Sequence, residues 1–249
     1  MQLKPKELTI CGLAAVRARF AREPNSIQRL FFDRATSRQI GAMCQALAQA
    51  KKVYRCVEPA ELEKIAGSVH HGGIVAVVNA PGPRRPRAED LKNWAAQRAP
   101  VLVLDRIGNA HNLGALARTA AFFGVQHLVI PESPVAARPN DAAYRVAEGG
   151  LERVTVWTVA SLPEFLAGLR ATGYAVIGAA TRGGRPETAT KKGEAVALVL
   201  GNEEHGLEPK VAAACTRLVT IPGGNAVESL NVSVAGAVLL WELIGRRPG

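Results

Sequence analysis

The chain has 249 residues, 48% of them hydrophobic, which is enough apolar material for one large or two modest cores and excludes a largely disordered protein. Net charge is +10, concentrated early: residues 1–100 hold 17 basic and 8 acidic side chains (+9), and residues 101–249 hold 14 and 13 (+1). A basic segment joined to a nearly neutral one suggests a polyanion-binding module, RNA or DNA, beside a second unit, although a basic solubilising surface has the same composition.

The opening stretch MQLKPKELTICGLAAV has neither the long apolar run nor the cleavage pattern of a leader, and no apolar run approaches a bilayer span of roughly 18 residues. A cytoplasmic protein is expected. Apolar periodicity predicts a helix over Leu8–Phe20, a strand over Arg29–Phe32, a helix over Ser37–Ala50, a strand over Val53–Val57, a short helix over Ala60–Ile65 and a strand over Ile74–Val78. This is a small α/β unit. Residues 79–88, NAPGPRRPRA, suit neither helix nor strand and coincide with the charge shift. The expected division is 1–79 for a polyanion-binding domain, 80–98 for a linker and connecting helix, and 99–249 for a second domain.

That second part alternates more clearly. Strands are expected at Val101–Leu104, His127–Ile130, Val154–Trp157, Ala175–Ala179, Val196–Leu200 and Leu218–Ile221. Helices are expected at Leu113–Phe123, Leu162–Ala171 and Glu208–Ala214, with a last one from about Leu230 to Ile244. Nearly continuous apolar strands separated by helices imply a parallel sheet covered on both faces, with ligands beyond the carboxyl ends of its strands.

Several chemistries are excluded. No two glycines are separated by a single residue, so the dinucleotide fingerprint is absent. The phosphate loop G-x-x-x-x-G-K-[ST], the G-x-S-x-G elbow and H-E-x-x-H are absent too. Cys11, Cys44, Cys56 and Cys215 lack metal-ligand spacing, so no metal is expected. With three Trp, three Tyr and six Phe, an extensive stacking platform for single strands is not evident.

Three polar stretches follow strand ends. The first, Asp105 to Ala120, places Asn112 where a helix N-cap is expected and Arg118 in the second turn. The second, Leu200 to Pro209, ends a buried strand at Gly201 and sets Glu203 and Glu204 before a helix start. The third, Ile221 to Ala237, runs through a glycine-containing loop into a helix opened by Ser229 or Asn231. Read alone, the first two are equally a capped helix or a polar turn, whereas the third carries more exposed-type polar residues among small and β-branched ones than a capped helix needs.

In order, however, N-L-G-A-x-x-R-T-A, L-G-N-E-x-x-G-L and I-P-x-x-x-x-x-E-S-L-N-V-S-V-A resemble the three motifs of the SpoU/TrmH RNA 2′-O-ribose methyltransferases of the SPOUT superfamily. The likeness covers about residues 100–245. Residues 8–79, notably Ile10–Val16 and His70–Ala76, also resemble the ribosomal-protein-like substrate-binding domain often fused ahead of it.

The resemblance implies an α/β fold whose C-terminal parallel sheet carries a trefoil knot. It implies S-adenosylmethionine as methyl donor, structured RNA (tRNA or rRNA) as substrate and a homodimer with the active site near its interface. Arg118 would be the central catalytic residue, as base for the 2′-hydroxyl or as stabiliser of its developing charge, oriented with the nucleotide by Asn112, Glu203, Ser229 and Asn231. Gly201, Ile221 and Leu230 would line the donor pocket, with Leu200, Pro222 and, more distantly, Thr181. A threaded backbone gives a reason for small residues at 223, 224, 235 and 236. The chain departs from the pattern at Gly223, where many relatives have methionine, and at Glu204-His205, where Gly-Lys or similar small and polar pairs are common. A noncatalytic RNA-binding protein on the same fold and an RNA base methyltransferase are the alternatives.

Overall fold

The computed structural model describes residues 7–181, 183–184, 194–224 and 226–245. The two lysines of the opening segment and Asn225 of the third motif lie outside them.

The N-terminal part is a four-stranded sheet with helices. In chain order come β1 (Glu7–Cys11), α1 (Leu13–Arg22), β2 (Ile27–Phe32), α2 (Arg34–Ser37), α3 (Gly41–Gln49), β3 (Val53–Cys56), α4 (Pro59–Ala66) and β4 (Ile74–Asn79). The sheet order is β1-β4-β2-β3, with only β2 and β3 parallel. The expected helix over Leu8–Phe20 is half wrong. Leu8 and Ile10 alternate inward as strand residues against β4, and Gly12, at φ +89°, turns the chain into α1. The expected helix over Ser37–Ala50 is two: Asp33 caps α2 by accepting from the Thr36 N–H, and α3 begins at Gly41.

The second part begins with α5 (Ala88–Ala96), β5 (Val101–Leu104), α6 (Ala110–Phe122), β6 (His127–Pro131), α7 (Asp141–Ala147) and β7 (Thr155–Val159). Then come α8 (Leu162–Ala171), β8 (Tyr174–Ala179), β9 (Ala195–Leu200), α9 (Pro209–Ala214), β10 (Arg217–Val219) and α10 (Val232–Leu240), which widens into a π turn at Trp241–Gly245. All six strands are parallel, in the order β10-β8-β9-β5-β6-β7. The chain runs outward from β5 to β7, crosses to the other side for β8, and returns with β9 beside β5. The switch point therefore lies between β5 and β9, where Leu104 and Leu200 stand in register. From the edge strand β10 the chain comes back so that α10 packs on α6 and β9. This arrangement is consistent with the trefoil-knotted SPOUT architecture.

Glycines mark the close approaches. A Cβ on Gly236 would lie 2.5 Å from Leu116 Cδ2, and one on Gly114 would lie 2.5 Å from the Ala143 carbonyl oxygen. Gly236 thus has the packing reason expected of it. Gly223 and Gly224 do not: a Cβ on either meets nothing within 4 Å, so their loop is open rather than threaded tightly.

The two sheets share one hydrophobic core and a polar junction. The Thr9 N–H donates to Asp141 Oδ1 at 2.9 Å. Arg19 and Glu152, each 3% exposed, pair with Nε 2.8 Å from Oε2, and Arg19 Nη2 also donates to the Tyr144 hydroxyl at 3.1 Å. Residues 80–87 are irregular yet tied down, since the Thr158 N–H donates to the Arg84 carbonyl at 2.7 Å. A cavity of about 480 Å³ opens at this junction, lined in part by Arg22, Arg84 and Tyr144 and by none of the candidate site residues.

His127 carries a testable pH dependence. Its ring stacks on Trp94 at 4.2 Å and Nδ1 accepts from Trp157 Nε1 at 3.3 Å. Burial pushes the imidazole down to about 4, against a weaker upward pull from Asp90. Between that value and the unfolded value near 6.5, the unfolded chain binds more protons. Stability present above pH 6.5 is therefore lost as pH falls toward 4, by about 2 kcal/mol once residual solvent screening is allowed for. His127→Gln should flatten the melting-temperature profile over that window, and an unchanged slope would dismiss the assignment.

Candidate active site

The site is built where β5, β9 and β10 end. After β5, Asp105 is 1% exposed and its N–H donates to the Leu200 carbonyl at 2.8 Å, continuing the pairing with β9. Its carboxylate accepts from Arg106 Nε at 2.9 Å and from the Glu208 N–H at 2.7 Å. Arg106 itself is held at φ +57°. One buried acid thus joins the start of the first polar stretch to the far end of the second.

The second stretch is a closed loop. Asn202 and Gly206 exchange backbone hydrogen bonds at 3.0 and 2.9 Å, and Asn202 Oδ1 accepts from the N–H groups of Glu204 and His205. Gly201 lies under the returning backbone of Gly206 and Leu207, and a Cβ there would collide with it. Asn202 Nδ2 also donates to the Arg106 carbonyl at 2.9 Å. Glu203 and Glu204 therefore sit in this loop, not at a helix start, because α9 begins later, at Pro209, with Glu208 as its cap.

Three motif residues meet across it. Asn112 Nδ2 donates to Glu203 Oε1 at 2.8 Å, and Asn231 Nδ2 donates to Asn112 Oδ1 at 3.3 Å. The Gly108 N–H points at Glu203 Oε2 over a long 3.4 Å. Residues 91 and 119 positions apart are thereby joined in one polar chain. Asn231 is also the N-cap of α10, its Oδ1 accepting from the Ser233 N–H. Ser229 stands exposed in the loop before it.

Two expected positions shift. The N-cap of α6 is Asn109, which accepts from the His111 N–H at 2.8 Å, so Asn112 lies inside the first turn and its amide is free to reach Glu203. Arg118 is accordingly in the third turn. Six residues of helix separate it from Asn112 by about 9 Å of rise and about 240° of rotation. Its Nη2 pairs with Glu148 Oε2 at 3.0 Å. The structure brings Asn112, Glu203 and Asn231 together and directs Arg118 elsewhere along the same helix.

The apolar candidates gather at the adjoining strand ends. Leu200 is buried at the end of β9. The Ala180 N–H donates to the Val219 carbonyl and the Gly184 N–H to Thr220 Oγ1, which sets the segment after β8, including the exposed Thr181, beside that after β10. Ile221 there is half-buried and Pro222 exposed. Leu230 is 46% exposed, an apolar side chain left open next to the Asn231 cap. Uncovered aliphatic groups beside irregular backbone suit an adenosine-bearing ligand, which needs apolar surface for its base and backbone groups for its edges. Among the described residues no cluster of His, Cys, Asp and Glu is arranged to hold a metal ion, and no helix is long and apolar enough to cross a membrane.

Sequence reasoning passed over Asp105, Asn202 and Glu148. Asp105 was visible as an acid ending an apolar strand, but the Glu208 N–H that it holds lies about a hundred positions away. Asn202 reads as an ordinary turn residue. Nothing in the sequence pairs Glu148 with Arg118.

Comparison with known proteins agrees with this geometry. Residues 99–241 match the SpoU rRNA Methylase family, and residues 9–84 match the RNA 2′-O ribose methyltransferase substrate-binding family. The chain is 33% identical over 246 residues to a 23S rRNA (guanosine-2′-O-)-methyltransferase RlmB of Bordetella pertussis, covering 96% of this chain and 98% of that one. It is 32% identical over 242 residues to an uncharacterized tRNA/rRNA methyltransferase, YfiF, of Escherichia coli O157:H7, covering 96% and 68%. Among solved structures, a TrmH-family protein from Porphyromonas gingivalis superposes with a TM-score of 0.76 at 26% identity, covering 97% and 90%. The SpoU methyltransferase AviRb of Streptomyces viridochromogenes, solved with S-adenosylmethionine, shares the fold with a TM-score of 0.70 at 22% identity, covering 96% and 90%. The knot-compatible sheet, the joined motifs and these matches together place the chain in the SpoU methylase family, as an RNA 2′-O-ribose methyltransferase with an N-terminal substrate-binding domain.

Proposed function

We propose that the chain acts in the cytoplasm as a homodimer on a ribose 2′-hydroxyl within structured tRNA or rRNA, with residues 1–79 capturing RNA, 80–98 connecting and 99–249 transferring the methyl group. The observation that carries the reading is the Asn231–Asn112–Glu203 chain, which ties three strand-end motifs into one polar site beside an open apolar one.

In this reading Leu200, Gly201, Ile221, Pro222 and Leu230, with Thr181 at the margin, hold the methyl donor. When bound, S-adenosylmethionine supplies the electrophilic methyl group. Asn112, Glu203, Ser229 and Asn231 orient the nucleotide, and bringing the ribose oxygen into line supplies much of the rate. Arg118 works as a cation. Its contribution is to stabilise negative charge developing on the ribose oxygen as the methyl group arrives, and the hydroxyl proton leaves to solvent water. Asp105 holds the loop carrying Gly201 and Glu203, so Asp105→Asn should raise the dissociation constant of S-adenosylmethionine by about tenfold; an unchanged constant would separate this acid from the pocket.

Dimerisation is supported by an apolar face. Val234, Val238 and Trp241 on the outer side of α10, and Phe122 at the end of α6, are all exposed, Phe122 by 82%. Phe123 joins Phe122 to Trp241 through ring contacts at 5.1 and 6.2 Å. A patch of this kind on a soluble chain is a natural subunit contact.

RNA capture is supported by the charge division and by exposed bases such as Arg34, Arg38 and Lys51. Replacing Arg38 and Lys51 by alanine should weaken RNA binding and reduce its salt slope by up to about two. An unaltered slope would move the RNA contact to another face.

The deciding experiment incubates the protein with radiolabelled S-adenosylmethionine and total RNA, including unmodified transcripts, and maps the label. A 2′-O-methyl group blocks alkaline cleavage at its 3′ phosphate, so labelled dinucleotides should survive base hydrolysis. Label released entirely in mononucleotides would mean base methylation, and no label in any RNA would mean a noncatalytic binding protein.

A further inference from the structure

Arg118 faces a carboxylate that none of the three motifs supplies. Glu148 closes α7, and its Oε2 lies 3.0 Å from Arg118 Nη2. Both side chains are more than half exposed, and an exposed pair of long side chains ordinarily holds no fixed geometry. Here one end is fixed by backbone. Glu148 is held at φ +43° and ψ +47°, the left-handed region that a glutamate seldom enters. Observed strain of this kind marks a position that the surrounding structure over-determines.

The surroundings do so from two sides. A Cβ on the next residue, Gly149, would lie 3.3 Å from Ala15 Cα of α1, and one on Gly150 would lie 2.6 Å from Arg118 Cα itself. Two residues later Glu152 is buried against Arg19 of α1. The turn 148–152 is therefore wedged between the substrate-binding domain and α6. Its backbone has nowhere to move, and it presents the Glu148 carboxylate to the guanidinium from a rigid base.

Resting on the reading of Arg118 as the cation of methyl transfer, we propose that Glu148 is its positioning residue, occupying the Nη2 corner of the guanidinium and turning the remaining N–H groups toward the RNA. Arginine loses much rotamer freedom when it is ordered, and a counter-ion that orders it beforehand removes that cost from the transition state. The residue acts through Arg118 and does not itself touch substrate. The turn that holds it also contacts the domain that captures RNA, so the cation is set by the same packing that seats the substrate-binding domain.

The test compares Glu148→Gln and Glu148→Gly with the parent enzyme. Glutamine keeps the shape and removes the charge. Glycine removes the side chain but accepts the left-handed backbone, so that variant should melt at or above the parent temperature. Both should lower the single-turnover transfer rate by about tenfold while the RNA KM and the S-adenosylmethionine dissociation constant stay within about twofold, the pattern of an interaction expressed only in the transition state. A Glu148→Gln enzyme that transfers within twofold of the parent rate, or faster, overturns the proposal, as does a loss confined to KM. Arg118→Ala run in the same assay keeps the two failures apart. If that variant is inactive while Glu148→Gln is normal, the positioning role falls and the Arg118 reading stands; if Arg118→Ala is itself active, the reading beneath both falls.

Discussion

Arg118→Ala is expected to lower methyl transfer by about 10²- to 10³-fold, the loss seen when one preorganised donor to a developing oxyanion is removed. The fold should not notice. The side chain is 56% exposed, and the tight contact of α6 with Gly150 is made by Arg118 Cα and backbone, which alanine retains. Cofactor affinity should hold as well, because Arg118 lies in the third turn of α6, while the donor candidates sit in the loops after β8, β9 and β10. Calorimetry with S-adenosylmethionine and a melting curve would check both. Arg118→Lys sharpens the test. It keeps a positive charge but loses the planar fork, so it should recover only part of the rate. An alanine variant working within threefold of the parent would remove Arg118 from the chemistry.

What the sequence revealed followed from how local each signal is. Continuous apolar runs such as Val101–Leu104 and Val196–Leu200 announce buried parallel strands, and both stand where periodicity expected them, give or take a residue. Leu8–Phe20 failed because apolar density runs unbroken from a strand into a helix, and only the Gly12 turn, set by pairing with β4, separates them. The short helix over Asp141–Ala147 was missed altogether. Seven residues give too little periodicity, yet this helix carries the junction through Asp141, Tyr144 and the Glu148 turn. The site divides in the same way. Motif order singled out Asn112, Glu203 and Asn231 as candidates, but a sequence cannot say that Asn112 bonds to both others. Arg118 was singled out as a candidate as well, while its partner in space came from a segment with no motif of its own.

The junction supplies the other large effect. Glu152→Ala should destabilise the protein by about 3–5 kcal/mol, because it leaves the Arg19 guanidinium buried without its main counter-ion. Burial pushes the Glu152 carboxyl up, to about 7, against the opposing pull of Arg19, so desolvation is already a heavy charge on this pair. What opposes protonation is two-point contact, Nε to Oε2 at 2.8 Å and Nη2 to Oε1 at 3.1 Å. With a chain of this size, each kcal/mol shifts the melting temperature by about 2–4 °C, so the single variant should melt roughly 6–20 °C lower. Arg19→Met with Glu152→Leu should recover most of the loss, since apolar residues of similar volume replace a buried pair at little cost. The recovery should be incomplete, because the Tyr144 hydroxyl loses its donor and Glu23 is left with Arg84 and Arg22 alone. A single variant as stable as the parent would show that water reaches Arg19 and that the domains are not locked by this pair. If the double variant regains stability but transfers methyl slowly, the pair also sets the 148–152 turn beneath Arg118, and the junction belongs to catalysis as well as to folding.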